Sequence, residues 1–335
     1  MRGLLKLCAA VIATLATLAM GAPLRAEVTE LKITKQPGVN YLPMVIMEQQ
    51  KLVEKYGKAA GLPDLKASWL TFKSGGAATD ALLAGSVDLV TSGTTNLLLL
   101  WAKTDGKVKG VSGGAATPMI LVTRNPAIKS IKDFTAADKI AVPTVKVSTQ
   151  AIVLQMAAEK AFGEAERSKL DAMTISMGHP DALIALGSGK GEVNSHFSLL
   201  PYSTAELKMP GVRQVLSSID VLGGPASNGV VFTSTAFHDA NPKAIGAFVK
   251  ALDEAIALIK KDKKAAAKIY LEATKEKTTE DELVSILSEK NVVYSTAPLG
   301  TMKFADYMHR AGMIKTKPAS WKDVYFSDVH KLPGN

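Results

Sequence analysis

The sequence predicts an α/β protein of two similar lobes, each a mainly parallel sheet flanked by helices, joined by a hinge of two strands. One observation carries most of this: a single pattern occurs twice, roughly a hundred residues apart. An apolar helix, a glycine stop, an acidic residue and a strand ending in small polar residues follow one another. The first copy is Ala81-Leu82-Leu83-Ala84-Gly85-Ser86-Val87-Asp88-Leu89-Val90-Thr91-Ser92-Gly93. The second is Ala182-Leu183-Ile184-Ala185-Leu186-Gly187-Ser188-Gly189-Lys190-Gly191-Glu192-Val193-Asn194-Ser195-His196. Glycine closes a helix by adopting the left-handed conformation, and the alternation behind it suits a strand. The second observation is the regular strand–helix succession around each copy, which favours parallel pairing with right-handed crossovers.

In chain order, Leu31–Thr34 alternates as a first strand, and the turn Gln36–Asn40 precedes a helix beginning near Tyr41 or Pro43, where proline is tolerated. Leu65–Leu70 is the second strand. Lys73-Ser74-Gly75-Gly76 leads into the helix of the first copy, and the apolar Leu97–Trp101 run behind Thr94-Thr95 is a buried helix. Met119–Val122 reads as a strand leaving the first lobe. The alternation then restarts with strands at Lys139–Pro143 and Met173–Met177, a helix at Ser148–Phe162, the second copy, and a strand at Val212–Leu216. The turn formers of Gly223–Gly229 and the strand Val230–Phe232 return the chain to the first lobe, which the long helix from Pro242 to Lys260 covers. The expected division is 1–26 as a signal peptide, 27–122 and 223–335 as lobe 1, and 123–222 as lobe 2.

Length and composition agree with two cores of ordinary size in 335 residues, with 47% hydrophobic and 21% charged residues, which excludes disorder and a coiled coil. Arg2 and Lys6, an apolar run from Leu7 to Met20, and Gly21–Ala26 have the layout of a secretory signal cleaved after Ala26; the run is too short for a membrane anchor. Periplasmic export follows as the expectation. Cys8, the only cysteine, falls inside that signal, so neither a disulfide, a cysteine nucleophile nor a thiolate metal site is expected in the mature chain. Losing Arg2, Lys6 and Arg25 lowers the formal charge of +9 by three, and the remaining lysines are dispersed over helix faces. A solvated surface mildly favourable to anions fits this better than nucleic-acid binding.

Ligands of open α/β sheets bind at the carboxyl ends of the strands. Those ends are read here as Thr91-Ser92-Gly93-Thr94-Thr95 and Asn194-Ser195-His196, facing each other across a cleft. Two helix starts, Ser92–Thr95 and Lys146-Val147-Ser148-Thr149-Gln150, would present unpaired amides and a positive dipole end to an anion. The plainer role of Thr94, Ser148 and Thr149 is ordinary N-capping. Gln36, Asn40 and Tyr41 occupy the first strand-to-helix loop, and Gly75 opens the next helix. Enzyme signatures are mostly missing: Gly187–Gly191 lies in helix-to-strand order, the reverse of a phosphate loop, and His179, His196, His238, His309 and His330 lack metal-ligand spacing. Asp88 and Glu192 read as turn residues.

The signal peptide, Gln36-Pro37-Gly38-Val39-Asn40-Tyr41-Leu42-Pro43, Asp80–Asp88, Ser130-Ile131-Lys132-Asp133-Phe134 and Asn241-Pro242 occur in an order that resembles the nitrate/sulfonate/taurine-type substrate-binding proteins of ABC importers. The resemblance implies a type II periplasmic-binding-protein-like fold and a monomeric receptor without cofactor. Such a receptor closes on a small oxyanion-bearing ligand and delivers it to a permease driven by an ATPase. It also implies a pocket at Gln36, Ser92, Gly93, Thr94 and Thr95, at Ser148, Thr149 and Gln150, and near Asn228, with Gly75, Lys146, Ser195 and His196 joining it on the residue-level reading. The alternative is an enzyme on the same fold similar to thiamin pyrimidine-precursor synthases, which bear an iron site of cysteine and histidine.

Overall fold

The computed structural model describes residues 26–335, so Cys8 and all but the last residue of the expected signal peptide lie outside the described residues. β1 (Glu30–Lys35) and β2 (Lys66–Thr71) pair in parallel with Ile33 opposite Trp69. Between them run a single 3-10 turn at Val39–Tyr41, α1 (Leu42–Gln49) and α2 (Leu52–Ala59), with Pro43 in the first turn of α1. Ser74 caps α3 (Gly75–Leu83) by accepting from the Ala77 amide at 3.3 Å, and Gly85 turns the chain at φ 69°. β3 (Val90–Ser92), α4 (Thr94–Lys103) and β4 (Val108–Ala116) follow.

Only Thr117 and Pro118 separate β4 from β5 (Met119–Thr123). Then come β6 (Lys139–Val142), α5 (Thr149–Phe162), β7 (Thr174–Ser176), α6 (His179–Ser188), β8 (Val193–Leu199), α7 (Tyr202–Leu207), β9 (Arg213–Ser217) and α8 (Ser218–Leu222). β10 (Gly229–Ser234) carries the chain back beside β4, followed by α9 (Thr235–Ala240), α10 (Pro242–Lys261), α11 (Lys263–Thr274), α12 (Glu280–Leu287), β11 (Val293–Tyr294), α13 (Thr301–Arg310) and α14 (Trp321–Val324). No helix among the described residues is long and apolar enough to cross a membrane.

The strands form a four-stranded sheet in the order β11-β4-β10-β3, a five-stranded sheet in the order β7-β6-β8-β5-β9, and the β1-β2 pair. The pair adjoins the first sheet through a parallel bridge of Ile33 and Leu89. The five-stranded sheet is mixed and the four-stranded one is wholly antiparallel, which corrects the expectation of mainly parallel sheets. β6 pairs in parallel with β7 and β8, whereas β5 is antiparallel to both its neighbours and β10 to both of its own. The antiparallel members include the strands that enter or leave a lobe by short links, where no helix is available to make a parallel crossover.

β5 belongs to the five-stranded sheet, so the strand read as leaving the first lobe at 119–122 already lies in the second. An apolar strand five residues long carries no mark of which sheet it joins. The second copy differs in its stop as well: Gly187 is helical, and Gly189, at φ 67°, is the residue that closes α6.

Packing follows the periodicities. α10 buries Ala244, Ile245, Ala247, Phe248, Ala251, Leu252, Ala255, Ile256 and Ile259, an i, i+3, i+4 stripe facing the first sheet, with lysines at its end. The larger apolar core runs without a break between the lobes, from Leu97, Leu98 and Val230 on one side to Ile152, Val153 and Phe197 on the other. The hinge therefore consists of packed side chains as well as two crossing segments.

Candidate functional site

A polar cavity lies where the two sheets face each other. The first-sheet side supplies Gln36, Asn40 and Tyr41 from the loop and turn after β1, Gly75 from the start of α3, Ser92, Gly93 and Asn96 around the start of α4, and Asn228 from the returning hinge segment. The other side supplies Pro143 after β6, Thr149 and Gln150 at the start of α5, His179 at the start of α6, and Leu199 at the end of β8. Its volume is about 30 Å³, room for one or two waters, so the lobes are closed upon it. A wider, open depression of about 410 Å³ adjoins it, sharing Gln36 and Pro37 and reaching Tyr202, Tyr270 and Glu276.

Close approach of backbone makes the cavity. A Cβ on Gly75 would lie 2.1 Å from Ser92 Oγ and 2.5 Å from Asn96 Nδ2, so no larger residue fits there without displacement. A Cβ on Gly93 would lie 2.2 Å from Thr149 Oγ1, across the gap between lobes. Further contacts bridge the same gap: Thr95 Oγ1 donates to the Val147 carbonyl at 2.9 Å, and Lys73 Nζ pairs with Asp181 Oδ2 at 2.9 Å. Lys73 is the one charged residue lining the cavity among the described residues, and its exposed ion pair adds little to stability.

Of the residues expected from sequence, Gln36, Asn40, Tyr41, Gly75, Ser92, Gly93, Thr149, Gln150 and Asn228 are brought together on the wall. The others stand off it. Ser148 caps α5, accepting from the Ala151 amide at 3.3 Å, and Thr94 Oγ1 donates to the Ser227 carbonyl at 2.6 Å. Lys146 is exposed in a left-handed turn at φ 61°. Ser195 and His196 do not end their strand, because β8 continues to Leu199; they lie in its buried middle, where Ser195 Oγ donates to Thr123 Oγ1 at 2.8 Å. In a strand flanked on both sides, polar residues satisfied inside the protein imitate a strand end.

Sequence reasoning missed Pro37, Lys73, Asn96, Pro143, His179 and Leu199. Asn96 is the polar residue between Thr95 and the apolar Leu97–Trp101 run. His179 begins the helix of the second copy, as Gly75 begins that of the first, and the repeat itself was the signal for it. Asn40 Oδ1 and Asn96 Oδ1 are buried without a hydrogen-bond partner, and burial keeps the Tyr41 phenol protonated by pushing its pKa far above the usual range.

Burial, and after it the neighbouring ring of His196, holds His179 well below the ordinary imidazole range. A histidine neutral in the fold but titrating normally when unfolded contributes stability above the unfolded pKa of about 6.5 that is lost as pH falls. The unfolding midpoint is thus expected to drop between pH 7 and 5, and His179→Gln to flatten that slope in a melting series. An unchanged slope would mean that other groups set it.

Among the described residues no group of three or more His, Cys, Asp or Glu side chains is arranged to hold a metal ion. Two lobes, each a sheet flanked by helices, joined by two crossings and closed on a polar cavity, make this a type II periplasmic-binding-protein fold. The model of the NMT1-like family matches residues 24–273, and the chain belongs to that family. No curated protein matches it.

Solved structures with the same fold include the alkanesulfonate-binding protein SsuA from Xanthomonas axonopodis pv. citri bound to MOPS. It is 19% identical with a TM-score of 0.69, over 90% of this chain and 99% of that one. The periplasmic aliphatic sulphonate-binding protein SsuA from Escherichia coli is 20% identical with a TM-score of 0.65, over 90% and 93%. The periplasmic nitrate-binding protein NrtA from Synechocystis PCC 6803 is 16% identical with a TM-score of 0.66, over 89% and 84%.

Proposed function

We propose that this protein is the exported solute-binding component of an ABC importer, a monomer that binds a small oxyanion-bearing ligand between its lobes and presents it to a permease. The observation that carries the reading is the convergence of three helix starts, α3 at Gly75, α4 at Gly93 and α5 at Thr149, on one polar cavity. The first N–H groups of a helix have no partner within it, and the dipole places partial positive charge there. The fold shared with sulfonate- and nitrate-binding proteins supports the same reading. So does the layout of the first 26 residues, which suits export.

On this reading lobe 1 comprises the segments before Thr117 and after Asn228, and lobe 2 the residues between. Hydrogen bonds to a charged group contribute about 1.5–3 kcal/mol each. Four of them supply about 6–12 kcal/mol before the immobilisation of ligand and lobes is deducted, so pocket shape must contribute as well to reach the roughly 8 kcal/mol of micromolar binding. The adjoining depression gives room for the remainder of a ligand larger than the cavity.

A thermal-shift screen of the mature protein, unfolded to strip carried-over ligand and refolded, tests this against sulfonates, carboxylates, nitrate and bicarbonate. A concentration-dependent rise in midpoint for one class is expected, as linkage requires of a ligand that binds the folded state. A panel without any shift would sink the oxyanion reading.

A further inference from the structure

Behind the cavity wall runs a chain of four buried side chains on four elements. Glu206 Oε1, on α7, lies 2.6 Å from His196 Nδ1 on β8. His196 Nε2 lies 2.8 Å from His179 Nδ1 at the start of α6, and His179 Nε2 lies 3.1 Å from Gln150 Nε2 at the start of α5. His196 and Glu206 are wholly buried, whereas His179 and Gln150 line the cavity. A relay of this length exceeds what packing requires, and its last member is where a ligand would sit.

We propose that Glu206, His196 and His179 are positioning residues that fix which end of the Gln150 amide faces the cavity, so that the receptor prefers oxyanions that also carry a hydrogen-bond donor. This rests on the oxyanion-binding reading and narrows its ligand class.

The polarity follows link by link. A carboxylate only accepts, so His196 Nδ1 donates to Glu206. The remaining nitrogen of a neutral imidazole accepts, so His179 Nδ1 donates to His196 Nε2. His179 Nε2 must then accept, and of the Gln150 amide only Nε2 can donate to it. Gln150 Oε1 is left as the acceptor for whatever occupies the cavity.

Reversing the direction requires an extra proton, either on the imidazole pair or on Glu206, whose Oε2 is buried without a hydrogen-bond partner. The groups facing the pair are Glu206 and Tyr202 from α7, the latter stacked on His179 at 6.0 Å, with Lys73 and Asp181 as an ion pair at the rim. Burial and the neighbouring ring oppose protonation of His179. Independently, Asn40 Oδ1 and Asn96 Oδ1, on cavity-lining residues more than nine-tenths buried, have no partner in the protein. The cavity offers helix-start N–H groups to an oxyanion and the Gln150 carbonyl to a donor on the same ligand.

Matched pairs test this by titration calorimetry: 2-hydroxyethanesulfonate against ethanesulfonate, and glycolate against acetate. The hydroxyl-bearing member should bind at least about tenfold more tightly, because a site built to hydrogen-bond a hydroxyl rejects the analogue lacking it. Glu206→Gln, which can donate as well as accept, should bring the ratio within about threefold, with the ligand class otherwise kept. Nitrogen NMR of the unmutated protein gives a readout independent of any ligand and of whether the variant folds: both His179 and His196 should be neutral with the proton on Nδ1. Protons on Nε2, doubly protonated rings, equal affinities within a pair, or a Glu206→Gln variant with undiminished preference would each overturn the relay. Failure of all four probes to bind would overturn the donor preference, the wider anion panel deciding the oxyanion reading separately, while the tautomers still report whether the relay has the stated direction.

Discussion

Gly93→Ala is expected to weaken ligand binding by about ten- to a hundredfold, and Thr149→Ala placed on top of it to recover most of the loss. The backbone of Gly93 is extended, at φ −70° and ψ 151°, so alanine is not strained there. The obstacle is steric and lies on the other lobe: the new methyl would sit 2.2 Å from Thr149 Oγ1, well inside contact distance. Overpacking of this kind costs about 1–3 kcal/mol. Because the clash exists only when the lobes are closed, that free energy is charged to closure and appears in the affinity rather than in the stability of either lobe.

Removing Oγ1 of Thr149 removes the obstacle, so the two substitutions should be strongly non-additive, as coupled neighbours are. Equilibrium titration of both single variants and the double variant measures the coupling, and solution scattering would show Gly93→Ala more open in the presence of ligand. Additive losses would mean that both residues act on the ligand directly and that Gly93 is not a closure contact.

What made the cavity legible in the sequence was the repeat. Two helix–glycine–strand copies imply two lobes, and the strand-to-helix turns of one lobe, at Gln36, Gly75 and Ser92-Gly93, fall on the wall along with Thr149 and Gln150 from the other. Residue type alone did not separate ligand contact from local duty. Ser148 and Thr94 have the same hydroxyl chemistry as Thr149, yet one caps a helix and the other bonds the Ser227 carbonyl. Which hydroxyl points outward depends on a rotation of about 100° per helical residue, and a one-residue uncertainty in where a helix starts erases it.

β8 illustrates the opposite limit. Its polar Asn194-Ser195-His196 imitated a strand end because the partners that satisfy them, Asp138, Thr123 and Glu206, lie on other segments. The relay from Glu206 to Gln150 was invisible for the same reason, since its members come from α7, β8, α6 and α5 and meet only when the second lobe is assembled.

Asn228→Ala is expected to lower stability by about 2–4 kcal/mol, since truncation leaves both the N–H and the carbonyl of Thr117 buried without a partner at about 1–3 kcal/mol each. Thr117 lies on the outgoing crossing and Asn228 on the returning one. The Thr117 amide donates to Asn228 Oδ1 at 3.1 Å, while Asn228 Nδ2 donates to the Thr117 carbonyl at 3.0 Å. One side-chain amide thus reproduces a pair of strand hydrogen bonds between the two connections, at the point about which the lobes would turn. Asn228 Nδ2 also reaches Thr117 Oγ1 at 3.0 Å.

Asn228→Asp separates this clasp from simple packing. The carboxylate keeps the acceptor for the Thr117 amide but sets a second acceptor against the Thr117 carbonyl, so at neutral pH it should be at least as damaging as alanine. Protonation restores a donor, and the same repulsion and burial raise the pKa of the new carboxyl in the fold. A group whose folded pKa lies above its unfolded value binds its proton more tightly when folded, so the stability of Asn228→Asp relative to Asn228→Ala should rise as pH falls through that raised pKa. Urea unfolding of the two variants across pH 8 to 4 reads the difference directly. Parallel curves would show that the carbonyl of Thr117 finds another partner and that the hinge does not depend on Asn228 as a donor.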